Sequence, residues 1–239
     1  MHQGMLKRMI SLPDGFRALV LGASGGIGAA FVQRLQGDPR CATVIGLHRH
    51  SLPAIDFDQE DSIAAAAAAL AGQAAFHLII NAAGVLHTAQ HMPEKKLASL
   101  NYAQLTQTFR TNTFGPALVM HHFSSLLAPG RAIMVMLSAK VGSIGDNRLG
   151  GWYSYRASKA ALNMLVRTAA IELARTRPQL VLVSLHPGTV ASALSRPFGG
   201  ETSGRPPDTA AAEMLAVIDG LAPADSGQFV SWTGERLPW

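Results

Sequence analysis

Cysteine is almost missing: the 239 residues hold one, Cys41. No disulfide can close within the chain, which excludes a small scaffold stapled by bridges. Beside a predicted strand, a lone cysteine reads as a small buried hydrophobe. Its apolar surroundings lack the positive charge that activates a thiolate. Charge is scarce too, at 15% of residues, with a formal excess of +5. The lysines and arginines form no basic run or basic helix face, so nucleic acid is not an expected partner. No stretch approaches the roughly 20 apolar residues that cross a bilayer, so no membrane partner is expected either. Met1 to Ile10 carries Lys7 and Arg8 with no apolar segment behind them. No signal peptide is read there, and a cytoplasmic location is the expectation. Metal-ligand spacing is absent from the nine histidines. His121 and His122 point to different sides of a helix, His48 and His50 bracket a loop arginine, and His87 and His91 precede Pro93. No metal is expected.

What the chain does have is apolar residues, 48% of the total. That is enough for a sizeable core, and the length suits one α/β domain. Residues 1–15 read as a short, loosely specified N-terminal extension. Apolar runs predict strands at Arg17 to Leu21, Ala42 to Leu47, Ala75 to Ile80, Arg131 to Leu137, Leu180 to Leu185 and Gln228 to Trp232. Between them, helices are predicted at Ile27 to Leu35, Ser62 to Leu70, Tyr102 to Leu127, Ser154 to Arg175 and Ala210 to Leu221. Continuous apolar strands alternating with helices imply a parallel sheet covered on both faces, hence a Rossmann-type doubly wound fold.

Between the first strand and first helix lies Gly22-Ala23-Ser24-Gly25-Gly26-Ile27-Gly28. Glycine lets backbone approach a pyrophosphate and tolerates positive φ. The helix beginning there aims free N–H groups and a positive dipole end at the phosphates. About twenty residues on, a dinucleotide fold meets the adenosine ribose. An acid would bind a free 2′-hydroxyl, but this chain has His48-Arg49-His50. The forked cation of Arg49 matches a 2′-phosphate, so NADP(H) is the preferred cofactor and NAD(H) the alternative.

Tyr155 and Lys159 stand four apart on a predicted helix and so share a face. With three tyrosines in the chain, such a pair arises by chance with a probability of roughly 0.06. Hydride transfer to a carbonyl leaves an alkoxide in need of a proton, which a phenol supplies. An ammonium nearby is expected to lower the phenol pKa; bringing it to near 7 takes about 4 kcal/mol. Ser138 ends the fourth predicted strand, at the sheet edge where ligands of open α/β sheets bind. Pro116 lies four residues after Asn112 and removes the helical partner of its carbonyl. A kink with a spare acceptor is expected there, and water is the available donor. Trp152 and Tyr153 either line a pocket or only pack. Residues 192–208, rich in Gly, Pro and Ser, read as a substrate lid or a plain mobile loop.

Together the glycine turn, Asn81-Ala82-Ala83-Gly84, Asn112, Ser138, Tyr155-Arg156-Ala157-Ser158-Lys159 and Pro187-Gly188 resemble the short-chain dehydrogenase/reductase family, and occur in its order. Thr111-Asn112-Thr113-Phe114-Gly115-Pro116, Leu185-His186-Pro187-Gly188-Thr189-Val190 and Leu237-Pro238-Trp239 resemble the C-factor type within it. The resemblance implies a seven-stranded, mainly parallel sheet and a single domain. It implies Tyr155 as general acid/base, Lys159 as the group that lowers its pKa and holds the nicotinamide ribose, and Ser138 as the group orienting the substrate oxygen. Asn112 would hold a water linking Lys159 to solvent. Gly22, Ser24, Gly25, Gly26, Ile27 and Gly28 would cradle the pyrophosphate, and Asp56 and Phe57 would face the adenine. Asn81, Ala82 and Gly84 would lie along the adenosine and ribose. Pro187, Gly188, Val190 and Ser192 would meet the carboxamide; the family more often has Thr where Ser192 stands. The implied activity is hydride transfer between nicotinamide and a small carbonyl or alcohol, in a homodimer or homotetramer. The rival reading is a dinucleotide-binding signalling or regulatory protein whose catalysis is incidental.

Overall fold

The structure is a computed structural model and describes residues 8–239. Among the described residues six strands form one sheet: β1 (Phe16–Leu21), β2 (Cys41–Leu47), β3 (Leu78–Asn81), β4 (Ala132–Leu137), β5 (Leu180–His186) and β6 (Phe229–Ser231), in the order β2-β1-β3-β4-β5-β6. Every pairing is parallel. The helices are α1 (Gly26–Gln36), α2 (Glu60–Leu70), α3 (Tyr102–Phe109), α4 (Gly115–Phe123), α5 (Tyr153–Ala174), α6 (Gly200–Ser203) and α7 (Pro207–Gly220).

The expected seventh strand is not found among the described residues. It came from the family resemblance, whereas the apolar runs themselves predict six. The reason lies in the chain after β2. His48 to Ile55 folds back on itself, with Ile55 N–H donating to His48 O at 3.1 Å and His48 N–H to Ser51 Oγ at 2.8 Å. A crossover to another parallel strand needs a dozen or more residues. Eight in a closed turn cannot supply it, so the chain passes to Asp56-Phe57 and α2, leaving β2 as the sheet edge.

Strand alternation divides the core into two layers. Ala18, Val20, Ile133, Val135, Val181 and Val183 pack with Phe31 and Leu35 of α1 and with Met214 and Ile218 of α7. Leu19, Leu21, Met134, Met136 and Leu182 pack with Ile63 of α2, Phe123 of α4, and Leu162 and Val166 of α5. Helices therefore cover both faces. The extension reading needs correcting as well: Met9 and Leu12 are buried in the first layer. Met9 N–H donates to Asp38, and the Arg40 guanidinium takes the Met9 and Leu12 carbonyls. Residues 8–15 are part of the packed domain, while residues 1–7 of the expected extension lie outside the described residues.

The long helix predicted from Tyr102 is interrupted at Arg110–Phe114 by a π-turn, in which Gly115 N–H reaches back to Arg110 O. The turn falls where Pro116, in the first turn of α4, withdraws an N–H from the ladder. Thr113 Oγ1 donates to Ser158 O at 2.9 Å, tying the turn to α5.

Candidate active site

The site is built where the strands end. β1 runs straight into the glycine turn, and α1 begins at Gly26. Its cap, Gly25, offers no side-chain bond, and the first turn holds no acid. The turn is tight: Gly22 has φ +79°, and a Cβ there would lie 2.7 Å from Ala83 N. Gly28 closes against the Gly22 carbonyl in the same way. No side chain claims the first N–H groups of α1, which fits an anion at that end.

Two clefts open along this edge. One, about 390 Å³, is bordered by Gly22, Ser24, Gly25, Arg49, Asp56, Phe57, Ala82 and Gly84. The other, about 490 Å³, is bordered by Ile27, Ala82, Gly84, Ser138, Tyr155, Lys159, Pro187, Gly188, Val190 and Ser192. They share Ala82, Ala83 and Gly84. A long dinucleotide fits this pair of connected clefts, with a cation at one end and a tyrosine at the other.

Four of the expected residues do not border the clefts. Gly26 and Gly28 shape the turn. Asn81 is buried, and its Oδ1 accepts from Ala83 N–H at 3.2 Å, so it holds the following loop in place. Asn112 sits in the π-turn and is fully buried. Its Nδ2 donates to Val85 O at 2.8 Å and Ser158 Oγ at 3.1 Å, while Oδ1 accepts from Val85 N–H at 2.8 Å. The Asn112 side chain thus clamps the loop after β3 against α5. A Cβ on Gly84 would sit 3.5 Å from Asn112 Oδ1 and 3.7 Å from Lys159 Nζ, so the three converge.

Tyr155 and Lys159 are both buried on α5. Lys159 Nζ donates to Leu137 O at 2.9 Å and lies 6.0 Å from the Tyr155 ring centroid. Here the expected electrostatics are corrected. Burial pushes the Tyr155 phenol up to about 12 and the Lys159 ammonium down to about 8. In the protein alone, desolvation outweighs any help the two give each other. Ser138 ends β4 beside them, and its hydroxyl donates to Asn163 Oδ1 at 2.7 Å.

Several side chains at the site carry no local sequence signal. Glu94 is buried and reaches the start of α5, where its carboxylate accepts from Ser154 N–H at 3.1 Å and from the Ser154 hydroxyl. The adjoining Trp152 has φ +53°, strained for a residue with a Cβ. Its N–H donates to Glu94 O at 2.5 Å. Trp152 lines the second cleft; Tyr153 does not border it. Arg205 stacks 3.5 Å over the Trp232 ring, pairs with Glu213 and donates to Pro187 O. A Cβ on Gly188, whose φ is +69°, would meet Arg205 and Trp232 at 2.6 Å. Arg205 therefore fixes the Pro187-Gly188 turn. His186 is a neutral imidazole near pH 7, because burial, Lys140 and Arg205 pull its pKa down to about 4.

The segment expected as a lid over residues 192–208 ends earlier. Arg205 pairs back with Val190, and Pro207 and Asp208 already belong to α7. What remains lies along the second cleft, with Phe198 5.0 Å from Trp152 and 5.9 Å from His87 between ring centroids. Leu86, Val141, Trp152, Leu194 and Phe198 gather round Tyr155 as a separate apolar cluster.

Residues 22–215 match the family described as enoyl-(acyl carrier protein) reductase, a short-chain dehydrogenase/reductase grouping. The chain is 36% identical over 187 residues to a 1-hydroxy-2-glutathionyl-2-methyl-3-butene dehydrogenase of Rhodococcus sp. (strain AD45), covering 78% of this chain and 79% of that one. It is 39% identical over 145 residues to the C-signal protein of Myxococcus xanthus, covering 60% and 83%. An NADPH-bound carbonyl reductase from chicken fatty liver superposes with a TM-score of 0.79 at 28% identity, over 95% of this chain and 100% of that one.

Proposed function

The chain belongs to the short-chain dehydrogenase/reductase family, whose members are NAD(P)-dependent oxidoreductases of CH–OH and C=O groups, and from that premise we propose that it is an NADP(H)-dependent reductase of small carbonyl compounds or dehydrogenase of the matching alcohols. The observation that carries this reading is the meeting of Ser138, Tyr155 and Lys159 in one of two adjoining clefts, the other of which is bordered by Arg49. A nicotinamide bound there would supply or accept the hydride. Ser138 holds the substrate oxygen, and Tyr155 gives that oxygen its proton in reduction or removes it in oxidation. The phenol is protonated near neutrality, as a donor to the substrate oxygen must be, and its burial-raised pKa has to fall when cofactor and substrate are bound for the transfer to be efficient. Lys159, with a pKa near 8, can return a proton to the phenol and hold the ribose. Gly22, Ser24 and Gly25 with the start of α1 hold the pyrophosphate, Arg49 the 2′-phosphate, Asp56 and Phe57 the adenine, and the Pro187–Ser192 segment the carboxamide.

The apolar cluster of Trp152, Phe198 and Leu194 favours a substrate with an apolar body over a sugar. Tyr155→Phe should abolish turnover while NADPH affinity stays within a few-fold. The check is nicotinamide absorbance across a panel of carbonyls, with fluorescence titration for binding. Undiminished turnover would remove Tyr155 from the mechanism. The likeness to the C-signal protein supports a second reading, a dinucleotide-binding signalling or regulatory protein with incidental catalysis. NADPH binding without turnover on any panel member would favour it. A homodimer or homotetramer is the proposed assembly, through the outer faces of the α3–α4 segment and α5, where Tyr102, Phe114, Met164 and Ile171 are exposed.

A further inference from the structure

Asn163 lies one turn beyond Lys159 on α5 and is 2% exposed. Its Oδ1 accepts the Ser138 hydroxyl proton at 2.7 Å, and its Nδ2 is buried without a partner. This arrangement conflicts with the role of Ser138. A serine has one hydroxyl proton. Spent on Asn163 Oδ1, it cannot reach a substrate carbonyl oxygen, which only accepts. A buried amide N–H without a partner is itself unusual. Both difficulties have one solution. The two ends of a carboxamide are close in size, and a half-turn about its last torsion exchanges donor and acceptor. Nδ2 then donates to a Ser138 lone pair, and the Ser138 proton is free to turn towards the cleft.

The surroundings agree. Ala132, Met134 and Met136 of β4 and Leu180 and Leu182 of β5 face α5. By strand alternation Ser138 and Ser184 share that face. The Ser184 hydroxyl is buried there with no partner, a donor on the side of the sheet where the turned Oδ1 needs one.

We propose that Asn163 is a positioning residue whose Nδ2 donates to Ser138 Oγ in the working enzyme, so that the Ser138 proton is held for the substrate oxygen. The proposal rests on the reading of Ser138 given above. Aspartate and leucine share the branched shape of asparagine, but the first, assayed at a pH where it is ionised, only accepts hydrogen bonds and the other makes none. Asn163→Asp binds the Ser138 proton away from the substrate, whereas Asn163→Leu merely releases it. In NADPH-dependent carbonyl reduction, kcat should fall at least a hundredfold in Asn163→Asp and about tenfold in Asn163→Leu. NADPH affinity should stay within threefold of wild type in both.

Burying a carboxylate also costs stability, so the order is read together with urea midpoints, and the readout that a structural role would not move is the dependence of the leucine cost on Ser138. If kcat of the leucine variant exceeds that of the aspartate variant by less than tenfold, the proposal is overturned. On a Ser138→Ala background, Asn163→Leu should change the residual rate by less than threefold. An equal cost in both backgrounds also overturns the proposal. Should Asn163→Asp fail to fold, Asn163→Leu decides alone, and a kcat within threefold of wild type sinks the idea. Wild-type turnover is measured first and separately tests the functional reading.

Discussion

Lys159 is a buried cation whose one hydrogen-bond acceptor is the Leu137 carbonyl, and its burial links stability to pH. In the unfolded chain its amine holds a proton up to about pH 10.5; in the folded protein it loses it near 8. Between those values the unfolded state binds more protons, so stability rises with pH. At roughly 1.36 kcal/mol per pKa unit, the gain approaches about 3 kcal/mol. Tyr155 acts in the opposite sense. Its unfolded phenol ionises from about pH 10 while the folded one waits until about 12, so stability falls above pH 10. Urea midpoints of the cofactor-free protein should therefore climb from pH 8 to 10 in wild type. The climb should be flattened in Lys159→Met, and identical pH curves for the two proteins would contradict this account.

Arg49 gives a second test at this scale. It is exposed on the cleft that also carries Asp56 and Phe57. Arg49→Ala should weaken NADPH at least tenfold, about 1.4 kcal/mol, and leave NADH almost unchanged. Equal losses for both cofactors would show that it does not meet a 2′-phosphate. The Tyr155–Lys159 pair and the glycine turn are legible in the sequence because each is a local pattern on one element. The pKa values are not, because they depend on how deeply the whole fold buries the two groups.

At the scale of elements, α5 lacks an N-cap of its own. Trp152 holds the cap position in a left-handed conformation and offers no side-chain bond. Glu94 takes over that task from sixty residues away, accepting from Ser154 N–H beside Tyr155. Replacing a helix-capping oxygen costs about 1–2 kcal/mol. Glu94→Ala should therefore lower unfolding stability by at least that much, and also kcat, since the first turn of α5 carries Tyr155. Glu94→Gln keeps an acceptor and should recover most of both. A Glu94→Ala protein with wild-type kcat and stability would show that Trp152 suffices. No reading of the chain reveals Glu94, Asn163 or Arg205, because their partners are brought near only by the folded sheet. The interrupted helix is a different case. Pro116 marks the break by removing an N–H, while the form it takes, a π-turn clamped by Asn112 to Val85, depends on the β3 loop packing across it.

At the scale of the molecule, helix and strand order are legible because continuous apolar runs of strand length and apolar stripes of helical spacing are written along the chain. The strand count was legible in the same way. Six runs predict six strands, and the seventh entered only with the family resemblance. The burial of Met9 and Leu12 was less so, since two apolar residues among Ser, Pro and Gly show no period. Outside the sheet, Met164, Leu165 and Ile171 on α5, with Tyr102 and Phe114 on the neighbouring segment, leave apolar side chains in solvent. Exposed apolar side chains on adjoining elements are where the proposed interface between copies of the chain is to be tested. In a two-fold assembly each exposed residue meets the same face of the partner, so one substitution is introduced twice per interface. Met164→Arg would place like charges opposite one another across that seam. By sedimentation, wild type is expected to run as a dimer or tetramer of the 25.2 kDa chain, and Met164→Arg as a monomer with its helix content unchanged. A variant that keeps the wild-type sedimentation coefficient would move the interface away from α5.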